Sequence, residues 1–123
     1  MAIEGGCHCG AIRFSFDADV PETLTRCTCS ICSKRGMLVA YCTPEQFHVI
    51  AAGADGVYRW NTKAVEHHFC AVCGCATFID SPAFEPDGKW DGHTRRIGVN
   101  ARLFDGYDAA LAPVTVIDGK NLW

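Results

Sequence analysis

GGCHCG, residues 5–10, sets Cys7 and Cys9 on either side of one histidine, near the start of a 123-residue chain. A disulfide between two cysteines so close needs a strained turn, because bridged Cα atoms usually lie about 4.4 to 6.8 Å apart with converging Cβ vectors. The other cysteines also arrive in groups, CTCSIC at 27–32 and CAVC at 70–73. Their total of nine is odd and their spacing bunched, which fits metal binding better than a disulfide framework.

In an extended segment residues i and i+2 share a face, so Cys7 and Cys9 can aim both sulfurs at one ion about 2.3 Å away. His8 then faces the other way and is set aside as a ligand. Cys70-Ala71-Val72-Cys73-Gly74 is the tighter signal. A Cys-x-x-Cys turn brings two thiolates together, and the glycine after it can take φ > 0 so that the backbone curls around sulfur. Cys9-Gly10 repeats that step. Cys7, Cys9, Cys70 and Cys73 therefore make the expected ligands of a closed, structural zinc site, with four buried unligated thiols as the alternative.

Cys27, Cys29 and Cys32 differ in kind. Three thiols within six residues can converge on one metal, but no fourth partner stands beside them. Three protein ligands and one free position describe a catalytic zinc, where water or substrate completes the tetrahedron. Two alternatives stay open: a second closed site completed by Cys42 or a histidine, and a redox trio. Cys42 and Cys75 read as core packing. His67 and His68 face opposite ways if VEHHF (65–69) is extended, which puts His68 on the face of Cys70, where it could ligate. His48 and His93 offer nothing specific.

The flanking sequence is that of a small, mainly antiparallel all-β protein with one domain, 1–123. AIRFSF (11–16) alternates apolar Ile12, Phe14 and Phe16 with Arg13 and Ser15, the period of a half-buried strand. MLVAY (37–41), QFHVI (46–50), VYRW (57–60), VEHHF, ATFI (76–79), RIGVN (96–100) and VTVI (114–117) are further short strands. Turn signals separate them: Thr43-Pro44, Gly53 to Gly56, Asp80-Ser81-Pro82, Pro86-Asp87-Gly88, Asp105-Gly106 and Asp118-Gly119. Ala109 to Ala112 can form one helical turn before Pro113 stops it. Residues 80–95 read as a long polar loop of the functional or mobile kind.

A net charge of -3 argues against a nucleic-acid partner. The basic pairs Lys34-Arg35 and Arg95-Arg96 read as ordinary surface, with anion contact as the alternative. The longest apolar run, MLVAYC, is far short of the roughly 20 residues a spanning helix needs. MAIEGG has neither a basic start nor an apolar h-region, so the expected compartment is the reducing cytoplasm.

The order Cys-x-Cys, Cys-x-Cys-x-x-Cys, Cys-x-x-Cys-Gly resembles the glutathione-dependent formaldehyde-activating enzyme family, which includes the centromere-protein V relatives. GGCHCGAIRF, CTCSICSKRG, HFCAVCG and the IGVNARLFDG region carry the likeness, from about Gly5 to Gly119. It implies a β-tent fold with two zinc ions per chain. Cys7, Cys9, Cys70 and Cys73 correspond to the structural site and Cys27, Cys29 and Cys32 to the catalytic one. The implied activity is addition of glutathione, a small-molecule thiol, to formaldehyde, giving S-hydroxymethylglutathione, formally a carbon–sulfur lyase reaction. Ser30, Ser33 and Lys34 stand near enough in sequence to supply a donor, and Lys34 or Arg35 to meet a glutathione carboxylate. The rival functions are a non-catalytic zinc-built binding or carrier module, with Trp60, Trp90 or Trp123 in an exposed apolar patch, and a sulfoxide reductase using Cys42 or Cys75.

Overall fold

A computed structural model describes residues 2–60, 64–85 and 87–122; Pro86 and Trp123, singled out above, lie outside them. The chain runs β1 (Ile3–Gly6), β2 (Ile12–Phe16), β3 (Leu24–Cys27), α1 (Cys32–Arg35), β4 (Val39–Cys42), β5 (Phe47–Ala52) and β6 (Asp55–Tyr58). It continues through β7 (Glu66–Cys70), β8 (Ala76–Pro82), β9 (Arg95–Asn100), β10 (Val114–Ile117) and α2 (Gly119–Leu122). Both helices are single turns, and the turn expected at Ala109 is a 3₁₀ turn, Ala109–Leu111. All eight strands read from the sequence are present, with ends shifted by one or a few residues. β1 and β3 are additional.

The strands form a three-stranded sheet, β1-β2-β5, and a seven-stranded sheet, β10-β3-β4-β9-β8-β7-β6. Every pairing is antiparallel except β10 with β3. The small sheet covers one face of the large one. Phe14 and Phe16 on β2 and Phe47 on β5 meet Phe78 on β8 and Phe104, with ring centroids 4.7 to 6.2 Å apart. Leu24, Leu38, Ala40, Cys42, Ile97 and Val99 fill the same core. Cys42 is thus a packing residue, and burial pushes its thiol up to about 11.

Pairing register places Val39, Tyr41, Gly98, Ile79 and His67 on the opposite, outer face of the large sheet. Met37 to Ala40 are nevertheless all buried, so this strand is covered on both sides, which explains its unbroken apolar run. The α1 turn reaches over the outer face. Arg35 at its end donates to His67 Nδ1 (3.2 Å) and to the His68 carbonyl (2.9 Å), both on β7.

The polar loop is shorter than expected. Asp80, Ser81 and Pro82 belong to β8, where proline ends the strand without a missing ladder bond. The remaining 83–94 segment is bonded to itself: the Asp91 carboxylate accepts from the His93 and Thr94 amides (2.9 and 2.7 Å) and from the Thr94 hydroxyl. Those bonds, the Thr94 hydroxyl first, hold Asp91 down to about 2.

A carboxyl group depressed in the folded state stabilises above its unfolded pKa and loses that effect as pH falls through the folded value. Amide exchange at His93 and Thr94 should therefore stay slow down to pH of about 3, and Asp91→Ala should raise it at neutral pH. Phe14→Ala, which empties a fully buried ring site, should lower the stability of the metal-loaded protein by about 3 to 5 kcal/mol in denaturant titration.

Candidate metal centre

Cys7 and Cys9 lie in the β1–β2 connection rather than in a strand. The Cys7 carbonyl accepts from the Gly10 amide at 3.2 Å, and Gly10 takes φ 83°. Convergence of the two thiols therefore comes from a turn, not from strand alternation. On the large sheet, Cys70 closes β7, and Gly74 (φ 82°) donates to the Cys70 carbonyl at 2.8 Å. The two turns meet. Cys9 Sγ is 3.7 Å from Cys7 Sγ and 3.6 Å from Cys70 Sγ, and with Cys73 the four sulfurs lie within 4.8 Å of one another. Ile12 is packed beneath them.

Sulfurs 2.3 Å from one zinc ion at tetrahedral angles stand about 3.8 Å apart. The observed spacing fits that edge, and it suits no disulfide: all nine cysteines are unbridged. Backbone amides supply further stabilisation of thiolate. Ile12 N–H donates to Cys7 Sγ (3.3 Å) and Cys73 N–H to Cys70 Sγ (3.5 Å). The Cys75 and Cys9 amides bring the Cys73 thiol down to about 5. Cys9 accepts from the Ala11 amide, yet desolvation and the Cys70, Cys7 and Cys73 thiols raise it to about 11. Four sulfurs this close cannot all ionise alone; a divalent cation among them removes the conflict.

Cys27 ends β3, Cys29 follows in a turn, and Cys32 opens α1, so the second group bends around one point. Its three sulfurs also lie within 4.8 Å of one another. The Cys29 amide donates to Cys27 Sγ (3.5 Å) and the Cys32 amide to Cys29 Sγ (3.4 Å). Burial opposes the Cys29 thiolate, but the Cys32 amide and the flanking thiols outweigh it and lower its pKa. Burial, then the Cys29 charge, raises Cys32. Among the described residues no fourth cysteine, histidine or carboxylate joins this group. Cys42, held open above as a fourth ligand, lies in the core between the sheets.

The histidines are spent elsewhere. His68 stacks on Phe78 at 4.0 Å, and its ring nitrogens face Asp55 (2.9 Å) and Glu66 (3.1 Å), so it is not a ligand. Register with β6 is unbroken, Val57 opposite His68 and Asp55 opposite Cys70, so His68 does share the face of Cys70 but spends its ring nitrogens on carboxylates. Burial and the adjacent Arg35 bring His67 down to about 4; it is neutral, accepting at Nδ1 and protonated at Nε2. Arg35 is turned inward to His67, and Lys34 is exposed. Trp90 packs edge-on against Phe84 and donates to the Thr94 carbonyl. Cys75 is half-buried beside the four-sulfur cluster.

Thr28, Ser30, Ser33 and Lys120 line a hollow of about 470 Å³ around the three-cysteine turn. Thr28 Oγ1 is within 3.3 Å of the Ile117 carbonyl and Ser33 Oγ within 3.4 Å of the Ser30 carbonyl. A second hollow, of about 400 Å³, runs from Thr43, Pro44 and Glu45 to His93, Thr94 and Arg95 and contains no cysteine.

The two groups should respond differently to loss of one thiol. Cys70→Ser should unfold the protein or halve its zinc content with a large loss of stability, because ligand binding in small zinc domains is folding free energy. Cys29→Ser should keep the fold and lose one zinc. Cys42→Ala should leave metal content unchanged at a stability cost of about 1 kcal/mol. Elemental analysis and thermal unfolding separate these outcomes.

The profile of the family described as glutathione-dependent formaldehyde-activating enzyme matches residues 2–115. A Halomonas elongata protein, named only provisionally as a glutathione-dependent formaldehyde-activating enzyme, is 33% identical over 91 residues. That alignment covers 67% of this chain and 58% of the relative's length. The crystal structure of a Rhodobacter sphaeroides protein, a Northeast Structural Genomics target, has a TM-score of 0.70 at 25% identity, over 91% of this chain and 99% of that one. The chain belongs to the glutathione-dependent formaldehyde-activating enzyme family.

Proposed function

We propose that residues 1–123 are a single zinc-dependent domain that adds a small-molecule thiol, glutathione or a near relative, to formaldehyde or a related aldehyde. In the reverse direction this is a carbon–sulfur lyase. Cys7, Cys9, Cys70 and Cys73 hold a structural zinc, and Cys27, Cys29 and Cys32 hold a catalytic one. The observation that carries this is the inequality of the two clusters: four thiols in one, and three with no fourth described ligand in the other. Nine unbridged cysteines suit a reducing cytoplasm.

When bound, zinc at the trio supplies Lewis acidity that lowers the pKa of a thiol at its remaining position. The chain's own residues do the rest. Amides of Cys29 and Cys32 donate to the Cys27 and Cys29 sulfurs, which favours their thiolate forms and fixes their orientation. Sulfur attacks the aldehyde carbon, an S–C bond forms as the C=O π bond breaks, and the thiol's proton ends on oxygen; no oxidant or reductant enters. The developing alkoxide needs a donor. Thr28 is within reach of Ile117 and Asp118, and Ser33 of the Ser30 carbonyl, whereas the Ser30 hydroxyl makes no protein hydrogen bond among the described residues. Ser30 is the donor assigned.

The two-zinc protein should accelerate formation of S-hydroxymethylglutathione, followed by NMR exchange, above the uncatalysed addition. Ser30→Ala should lower the catalysed rate roughly a hundredfold, and Cys29→Ser should abolish it in a folded protein. A rate equal to the buffer reaction would favour a carrier or binding module instead.

A further inference from the structure

The adjacent arginines at the start of β9 look equivalent in sequence and are opposite in structure. Alternation sends their side chains to different faces of the sheet. Arg95 is satisfied: its Nε donates to Asp80 Oδ1 at 2.7 Å and its Nη2 to the Asp80 and Ala64 carbonyls. Arg96 has no ion pair and no hydrogen bond among the described residues. Its Nε is buried with no partner, and its guanidinium carbon stands over the Tyr41 ring, 4.4 Å from the centroid. A buried donor on a cation left without an acceptor is costly, and such exceptions call for an explanation.

The position of this orphan is built. Tyr41 pairs with Gly98, two residues along β9 from Arg96 on the same face. A Cβ on Gly98 would stand 3.2 Å from Tyr41 Cε1 and 2.9 Å from Val39 Cγ1, so the glycine leaves room for the tyrosine ring. The ring in turn packs against the guanidinium. The α1 turn, which opens at Cys32, reaches over the same face: Arg35 at its end donates to His67, in the cross-strand row of Tyr41 and Gly98.

A planar, weakly hydrated guanidinium that is stacked and unpaired is suited to a carboxylate, which can accept two of its N–H groups. The trio with its metal carries a net charge of about −1, and a thiolate arriving there makes the region more negative. A substrate bearing its own carboxylate is then repelled unless a fixed cation stands nearby. We propose that Arg96, held by Tyr41 over Gly98, is the subsite that binds the carboxylate of the thiol substrate and so selects carboxylate-bearing thiols over neutral ones. This inference rests on the thiol-addition reading of the three-cysteine site.

The test is equilibrium binding to the two-zinc protein, by calorimetry, of glutathione and of its uncharged-carboxyl diethyl ester. Glutathione should bind about ten- to a hundredfold more tightly than the diester, the range for a hydrogen bond to a charged group. Arg96→Gln should remove that preference while leaving diester affinity and zinc content unchanged, and Arg96→Lys should restore part of it. Equal affinity of the wild-type protein for both probes overturns the subsite, as does a preference that survives in Arg96→Gln; the wild-type comparison decides even if the variant does not fold. If zinc-edge X-ray absorption shows that neither thiol adds sulfur to the second zinc, the thiol-addition reading itself fails and the subsite with it.

Discussion

Cys9 and Cys70 lie 61 positions apart in the chain, and their sulfurs lie 3.6 Å apart in space. One pair of thiols comes from the turn after β1 and the other from the turn after β7, so the cluster joins the small sheet to the large one at a single end. The rest of the molecule is arranged around that junction. Structural zinc binding is worth about 10 to 16 kcal/mol in small peptides, and whole domains are stable by about 5 to 15 kcal/mol. One ion held at this point can therefore decide whether the two sheets stay together. The aromatic core between them then needs only to be well packed.

That division leaves the outer face of the large sheet free for chemistry. The small sheet covers the inner face, while α1 and the three-cysteine turn lie against the outer one. Tyr41, Gly98, Ile79 and His67 form a cross-strand row there, and Arg35 ties the end of α1 to its far side. A three-sulfur site anchored at the end of β3, with amides already donating to two of its sulfurs, needs little reorganisation to hold a metal. The unpartnered, buried Nε of Arg96 also falls on this face. Natural proteins tolerate such local costs where a ligand relieves them.

Cysteine spacing and strand alternation were legible in the sequence because both are local. Ile12, Phe14 and Phe16 alternate, and they are buried as alternation requires. β1 escaped notice because IEGG has little β propensity. Gly5 is there for close approach: a Cβ would stand 2.4 Å from the Leu103 carbonyl oxygen. β3 is equally short and is set by its parallel partner, β10, 90 residues downstream. His68 looked like a ligand because only distant pairing reveals Asp55 as its partner. Arg95 and Arg96 carry the same charge side by side, and only the sheet shows that one has a carboxylate and the other does not. Local pattern named the chemistry; long-range register decided which copies of a residue were free to take part.

The central claim is that the two clusters differ by one sulfur. Zinc-edge X-ray absorption on the resting two-zinc protein measures this directly, since it averages donors over both ions. Seven sulfurs shared between two zinc ions, with one lighter donor, is the result expected. Eight sulfurs, four on each ion in the absence of any added thiol, would mean that the chain closes both sites with its own cysteines and would contradict the account.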